Sequence, residues 1–336
     1  MKTQIMKKIR INEITNLRAL AIVLVVFGHS IVLYSHLWTR YTSIYEVDFL
    51  DRLKTVINMI QMPLYFSISG FLFMGGKRKS FPEFLKSRVL RLLVPCVCVS
   101  WGWMIPIRYL VNYNNYRTIG IRQILHEYLT GTDDGHLWFL PCLFTCMVVS
   151  YIYKEIAERI GLSPLIAELI MLVVSFGLLR KAYLLPPVGL IKDPAKQLFY
   201  FHYGCLIRVV WLQFRSFKWL RPVAGIVCAG CILLEWFHPL SIYSLFYQAL
   251  IVLTVGSLYA LVPGDVCRGT GVLADYSFGL YLFHSPLIYF TFTFLLNAHP
   301  AIVVSINFFV CGTIAFLITW VLKRSPLCFI IGEARK

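Results

Sequence analysis

The chain has 336 residues, of which 58% are hydrophobic and only 14% charged, and its mean hydropathy is +0.71. A soluble domain carries about 25% charged residues, so this composition excludes a soluble globular enzyme and indicates a polytopic membrane protein whose length one bundle can absorb. The formal net charge of +16 does not call for nucleic acid as a partner, because Lys and Arg cluster in short segments between apolar runs, as topology signals and lipid-headgroup contacts do.

The N-terminus places Lys2, Lys7, Lys8 and Arg10 before an apolar run and so imitates a signal peptide. No small-residue cleavage site follows and His29 interrupts the run, which predicts a retained first span. In NLRALAIVLVVFGHS, from Asn16 to Ser30, Arg18 and His29 are eleven residues apart. At about 100° per residue that is three turns and about 20°, so the two share a helix face. A rise of about 1.5 Å per residue sets His29 about 16 Å above Arg18, near the expected middle of a span. An ionisable group at such depth is a functional-site candidate. Arg18 also reads as a snorkelling anchor and His29 as a hydrogen-bonded bundle residue.

Next comes PLYFSISGFLF, residues 63–73, where Pro63 can kink a helix and Ser67 and Ser69 put hydroxyls inside a span. Gly70 there allows close backbone approach. The basic segment GKRKSFPEFLKSRVLR ends in Arg88 and Arg91, three apart before the next run. Such a pair is a topology signal or a bidentate phosphate clamp suited to coenzyme A. The loop from Asn112 to Gly135 is polar, with Tyr113, Asn114, Asn115, Tyr116, Thr132, Asp133 and Asp134, and Ile121, Ile124, Leu125 and Tyr128 within it have helical spacing. It reads as a solvated connector with an interfacial helix or as a sugar-holding loop.

HLWFLPCLF begins with His136, a candidate for binding a sugar hydroxyl beside Asp134, and carries Trp138 at belt level. In SFGLYLFHSP, Ser277 and His284 are seven apart with Tyr281 between them on one face. Asn58, Gln61, His202, Glu235 and Gln248 are further polar groups inside apolar runs. The ten cysteines give no disulfide framework, since most lie in apolar runs where a thiol acts as a small hydrophobe. The histidines are scattered without metal-ligand spacing, and no phosphate or dinucleotide loop occurs.

About ten apolar runs are long enough to span, near 18–37, 53–75, 92–111, 137–153, 163–180, 197–214, 222–237, 241–262, 272–295 and 301–322. An all-α transmembrane bundle with both termini cytoplasmic is expected, forming a single domain over residues 1–336. That orientation puts 22 of the 32 basic residues inside, although Arg180, Lys181, Lys192 and Lys196 crowd one outer loop.

Taken in order, LRALAIVLVVFGHS, PLYFSISGFLF, the RVLR pair followed by Pro95, HLWFLPCLF and SFGLYLFHSP resemble the acyltransferase-3 family of bacterial integral-membrane O-acyltransferases. The PLYFSISGFLF and HLWFLP wording is closer to its polysaccharide or fucose O-acetylase subgroup than to members with an extra extracytoplasmic hydrolase domain. The resemblance implies about ten helices in the bacterial inner membrane, acetyl-CoA as co-substrate with no bound cofactor or metal, and an envelope glycan or its lipid-linked precursor as acceptor. It implies that His29 is essential for transfer, as general base or as acyl relay, with Arg18 in support. Arg88 and Arg91 become the donor-holding candidates, and Ser69, His136, Trp138, Ser277, Tyr281 and His284 the substrate-facing ones. From a different class, a transporter or flippase for a lipid-linked or acidic solute also fits scattered intramembrane polar groups. Transporters of that kind often show inverted repeats, and no repeat is visible in this sequence.

Overall fold

The computed structural model describes residues 2–36, 41, 43–133, 135–214, 219–241 and 244–333, with side chains described from Asn12 onward and not for 211–214. Asp134, the side chains of Lys2, Lys7, Lys8 and Arg10, and the basic residues Arg215, Lys218, Arg335 and Lys336 lie outside the described residues. Among the described residues the regular structure is entirely helical. In chain order the long elements are α1 (Lys2–Ser30), α2 (Asp48–Met74), α3 (Phe81–Arg88), α4 (Val94–Val99), α5 (Ile105–Leu110) and α6 (Ile121–Thr130). They are followed by α7 (Phe139–Arg159), α8 (Pro164–Lys181), α9 (Gly189–Phe214), α10 (Leu220–Phe237), α11 (Leu245–Leu261), α12 (Arg268–Phe294), α13 (Pro300–Ser305) and α14 (Cys311–Arg324).

Helix runs through much of each of the ten predicted stretches among the described residues. Six stretches are long and apolar enough to cross a membrane: Asn12–Ser30, Asp48–Met74, Phe81–Leu110, Ile121–Arg159, Leu220–Phe237 and Pro300–Arg324. Many large apolar side chains on these helices, among them Ile226, Phe309, Leu317 and Val321, are exposed. Water disfavours such a surface and lipid does not.

The chain divides into two compact units, each drawn from separate stretches. The first comprises residues 1–21, 58–79 and 145–274. In it α8 packs on α9 and α10 on α11. The PLYFSISGF stretch of α2 meets α9 backbone to backbone. A Cβ added at Gly70 would sit 1.8 Å from the Phe201 carbonyl oxygen, and one at Gly204 1.8 Å from that of Ser67. These two glycines are therefore what lets the helices touch. Beside the contact, the hydroxyls of Ser67 and Tyr259 lie 2.9 Å apart.

The second unit comprises residues 22–57, 80–144 and 275–336. Its α3–α5 stretch is one helical rod broken by two π-helical turns, Val89–Leu93 and Ser100–Met104. The cause is legible in Pro95 and Pro106. A proline has no N–H to give and its ring crowds the carbonyl four residues back. The ladder slips by one, so Val94 N–H bonds the Val89 carbonyl and Ile105 N–H that of Ser100. Single π turns of this kind rotate the following side chains and are frequent at functional sites. A third π turn, Ile306–Val310, separates α13 from α14.

That third turn positions the end of α1. Asn307 donates through Nδ2 to the Ser30 carbonyl at 3.2 Å, and its Oδ1 accepts from the Thr291 hydroxyl at 2.6 Å. Ser30 is one of the last residues of α1, whose carbonyls have no partner within the helix, so Asn307 caps the turn that carries His29. The predicted first span, 18–37, is corrected here: the helix ends at Ser30 and gives way to a 3₁₀ turn at Val32–Tyr34. His29 thus lies in the last turn of α1 rather than at the middle of its apolar stretch.

Candidate active site

His29 anchors the arrangement in the second unit. Its Nδ1 lies 2.8 Å from Nε2 of His284, with the rings nearly parallel at 23°. The other nitrogen of His284, Nδ1, is 2.6 Å from the Leu280 carbonyl one turn back on α12. A carbonyl only accepts, so that nitrogen carries the proton. A neutral His284 then has a bare Nε2, which accepts from Nδ1–H of His29. The chain of donors leaves the lone pair on Nε2 of His29, which has no hydrogen-bond partner among the described residues. His284 is fully buried, whereas His29 is only half-buried and lines a cavity of about 290 Å³.

His136 completes the trio. It lies in the 3₁₀ turn before α7 and is buried, with its ring centroid 5.9 Å from that of His284. Its Nε2 donates to the Leu282 carbonyl at 3.0 Å. That carbonyl needs a donor because the residue four positions on is Pro286, inside α12, which has no N–H. The proline of SFGLYLFHSP thus frees the acceptor that fixes His136. Tyr281 in turn donates its hydroxyl to the His136 carbonyl. Nδ1 of His136 is left as a buried acceptor without a partner among the described residues.

The cavity is lined by His29, His136, Trp138, Ser285, Tyr289, Arg108, Tyr113, Thr132 and Asp133, among others. Arg108 comes one turn after the second π segment and is 1% exposed. Its guanidinium meets Asp133 at 3.4 Å and the Tyr289 hydroxyl at 3.3 Å, with the rings of Tyr113, Tyr116 and Tyr289 all within 5.6 Å of its centre. Cation–π contacts and one carboxylate together stabilise the buried cation. Gly135, at φ +59°, admits it: a Cβ there would sit 2.8 Å from Nη2 of Arg108. In the adjoining loop, burial pushes the Tyr116 phenol above its ordinary value, with Arg108 pulling the other way.

Of the sequence candidates, His29, His136, Trp138, Tyr281 and His284 come together here. Ser277 is buried on α12 two turns before His284. Arg88 ends α3 with its guanidinium 5.2 Å over the Phe84 ring, and its Nε has no partner among the described residues. Arg91 falls within the first π turn and is exposed. Arg18 and Ser69 belong to the first unit. There Nη2 of Arg18 donates to the Ala274 carbonyl at 2.8 Å, and the Ser69 hydroxyl bonds back to the Tyr65 carbonyl at 2.8 Å. The Asn112–Gly135 loop carries α6, as the spacing of Ile121, Ile124 and Leu125 predicted. Sequence reasoning missed Arg108, Tyr289 and Lys54. Two of these are lone cations in apolar runs, a signal that was available for both.

The first unit holds a second histidine cluster. Nδ1 of His202 lies 2.7 Å from Glu168, and its Nε2 lies 2.9 Å from the Ser150 hydroxyl, which itself donates to the Cys146 carbonyl at 2.7 Å. Cys205 adds a ligand atom, so that Glu168, His202 and Cys205 all have donors within 4.8 Å of one another. The sequence spacing gave no hint of such a group. Its thiol is spent on the Gly70 carbonyl at 3.3 Å and both ring nitrogens are engaged, so the set forms a closed hydrogen-bond chain.

A helical membrane protein with a histidine pair whose one free nitrogen faces a cavity is a class suited to acid–base or nucleophilic group transfer. The chain belongs to the acyltransferase-3 family, whose profile, described as an acyltransferase domain, matches residues 11–324. It is therefore a multi-pass membrane acyltransferase. No curated protein and no solved structure matches the chain.

Proposed function

We propose that the protein moves an acetyl group from acetyl-CoA to a hydroxyl of a cell-envelope polysaccharide or its lipid-linked sugar precursor in the bacterial inner membrane. The observation that carries this reading is the donor chain Leu280–His284–His29, which leaves Nε2 of His29 unprotonated and without a partner among the described residues. That nitrogen takes the proton of the acceptor hydroxyl as its oxygen attacks the thioester carbonyl. When the carbon–sulfur bond breaks, the imidazolium returns the proton to the departing thiolate. His284, bonded to Nδ1, holds the ring in the needed tautomer, as the orienting partner of a base does in other acyl-transfer sites.

The buried acceptor Nδ1 of His136 suits a donor hydroxyl of the sugar, and Trp138 and Tyr289 offer ring faces to its C–H surfaces. Ser69, Ser277 and Tyr281 remain on the substrate side of the proposal, with Tyr281 acting through the His136 backbone. Arg88 and Arg91 are the proposed holders of the phosphates of the donor, and Arg18 keeps its proposed supporting role. A relay in which His29 itself is acetylated is the alternative course of the same reaction.

Reconstituted protein given labelled acetyl-CoA and envelope lipid extract tests the reading. It predicts that label enters the extract as an alkali-labile ester with the wild type and that this incorporation is lost in His29→Ala. Equal incorporation by His29→Ala would falsify the assignment. Label trapped on the protein by donor alone, and absent from His29→Ala, selects the relay.

A further inference from the structure

Among the residues that line the cavity beside His29, one is an arginine, Arg108, and one a carboxylate, Asp133. The two neutralise each other. Nη1 of Arg108 donates to Oδ2 of Asp133 at 3.4 Å and to the Asp133 carbonyl at 3.2 Å. Nη2 donates to Oδ1 of Asp133 at 3.4 Å and to the Tyr289 hydroxyl at 3.3 Å. A guanidinium has five N–H groups, and these contacts leave the one on Nε, which is buried without a partner among the described residues. His136, also on the cavity wall, has the converse deficit, a buried Nδ1 that lacks a donor.

The wall thus has no charge to spare, one unmet donor and one unmet acceptor. A phosphate or carboxylate only accepts, so it would serve Nε–H of Arg108 and leave Nδ1 of His136 bare. It would also stand against Asp133 with no second cation to offset it, and an unpaired buried charge is strongly unfavourable. An ammonium would serve Nδ1 alone. Hydroxyls do both, because each donates and accepts. The Asp133 side chain, 19% exposed, keeps its oxygens within reach of further hydroxyls, and Trp138, Tyr289 and Phe292 supply apolar ring surface. The volume, about 290 Å³, is at the small end for a ligand pocket and suits one sugar ring rather than a run of them.

We propose that the Arg108–Asp133 pair is the specificity-determining element of the acceptor site, and that it selects a single uncharged sugar ring, recognised through its hydroxyls. The inference rests on the reading of the His29 cavity as an acceptor site, and its test does not depend on turnover. It also gives the paired charges a purpose. Fixed on each other, they present donors and acceptors to hydroxyls without attracting an ion.

The full chain in nanodiscs of zwitterionic lipid is titrated calorimetrically with two probe pairs, octyl β-glucoside against octyl β-glucuronide and octyl β-galactoside against octyl β-galacturonide, with empty nanodiscs as blank. Within each pair the members differ only in a hydroxymethyl or a carboxylate on the ring. The wild type binds at least one neutral glycoside about tenfold or more tightly than its acid, the cost of an unpaired buried charge. Asp133→Asn frees the charge of Arg108, so that preference is lost or reversed. Arg108→Lys keeps the charge balance but not the fork, so the neutral glycoside binds about tenfold more weakly and is still preferred over its acid. Should Asp133→Asn not fold, the wild-type comparison and Arg108→Lys decide. No neutral preference in the wild type, an undiminished one in Asp133→Asn, or unchanged neutral binding in Arg108→Lys overturns the proposal. Neutral-selective binding without acetyl incorporation overturns only the enzymatic reading.

Discussion

The two histidine clusters use the same chemistry to opposite ends. In the first unit, His202 is fully buried and both of its nitrogens are engaged, one by Glu168 and one by Ser150. In the second, His29 and His284 form a chain that begins at a backbone carbonyl and ends at a bare nitrogen beside a cavity. A satisfied network contributes rigidity and a unique packing. An unsatisfied one keeps a valence in reserve for something that arrives later. In the proposed function, what sets His29 apart from His202 is that one of its nitrogens is left without a partner among the described residues beside a cavity.

The sharpest way to break this contrast is at the bare nitrogen. His29→Gln should lower acetyl incorporation by about 10²–10⁴-fold, the usual worth of a positioned acid–base group, while the thermal unfolding midpoint in detergent stays close to that of the wild type. In the closed chain the effect should reverse. His202→Leu leaves the Glu168 carboxylate buried and unpaired, a loss of about 3–5 kcal/mol, visible as a markedly lower unfolding temperature. Incorporation per folded molecule should survive. If His202→Leu instead removed activity at full stability, the first cluster would be part of the chemistry and the contrast would dissolve.

Smaller effects refine it. His284→Leu removes the acceptor for Nδ1–H of His29 and frees the ring to change tautomer. Incorporation should fall by about tenfold or more, the worth of a hydrogen bond of roughly 1.5 kcal/mol, with less effect on stability than His202→Leu. Ser150→Ala takes one partner from His202 and should cost about 1–3 kcal/mol of stability without altering acetyl-CoA kinetics. The smallest expected change is in Arg88→Ala with Arg91→Ala, which should chiefly raise the apparent KM for acetyl-CoA at near-normal kcat. An unchanged KM would move the donor clamp to other residues.

Much of this was written along the chain. Apolar periodicity and length marked the helical membrane character, because a spanning helix must satisfy its own backbone and advertises itself as a long apolar stretch; six such stretches are present among the described residues. The Arg-to-His spacing of eleven marked the helix that carries His29, the proposed base, and Gly70 announced a backbone contact that the Phe201 carbonyl fills. The five motifs carried enough of the family pattern for membership to be legible before any coordinates. The helix end was not legible: the apolar run continues past Ser30, but Asn307, far away in sequence, caps α1 there and leaves His29 in its last turn.

The remaining decisions belonged to tertiary structure, for one physical reason. A side chain's protonation and availability depend on partners that are distant in sequence. That His284 faces His29 across 255 positions and that Pro286 frees a carbonyl for His136 are facts of packing. Sequence determined which groups could react and in what kind of solvent they would lie. Folding decided which nitrogen was left bare.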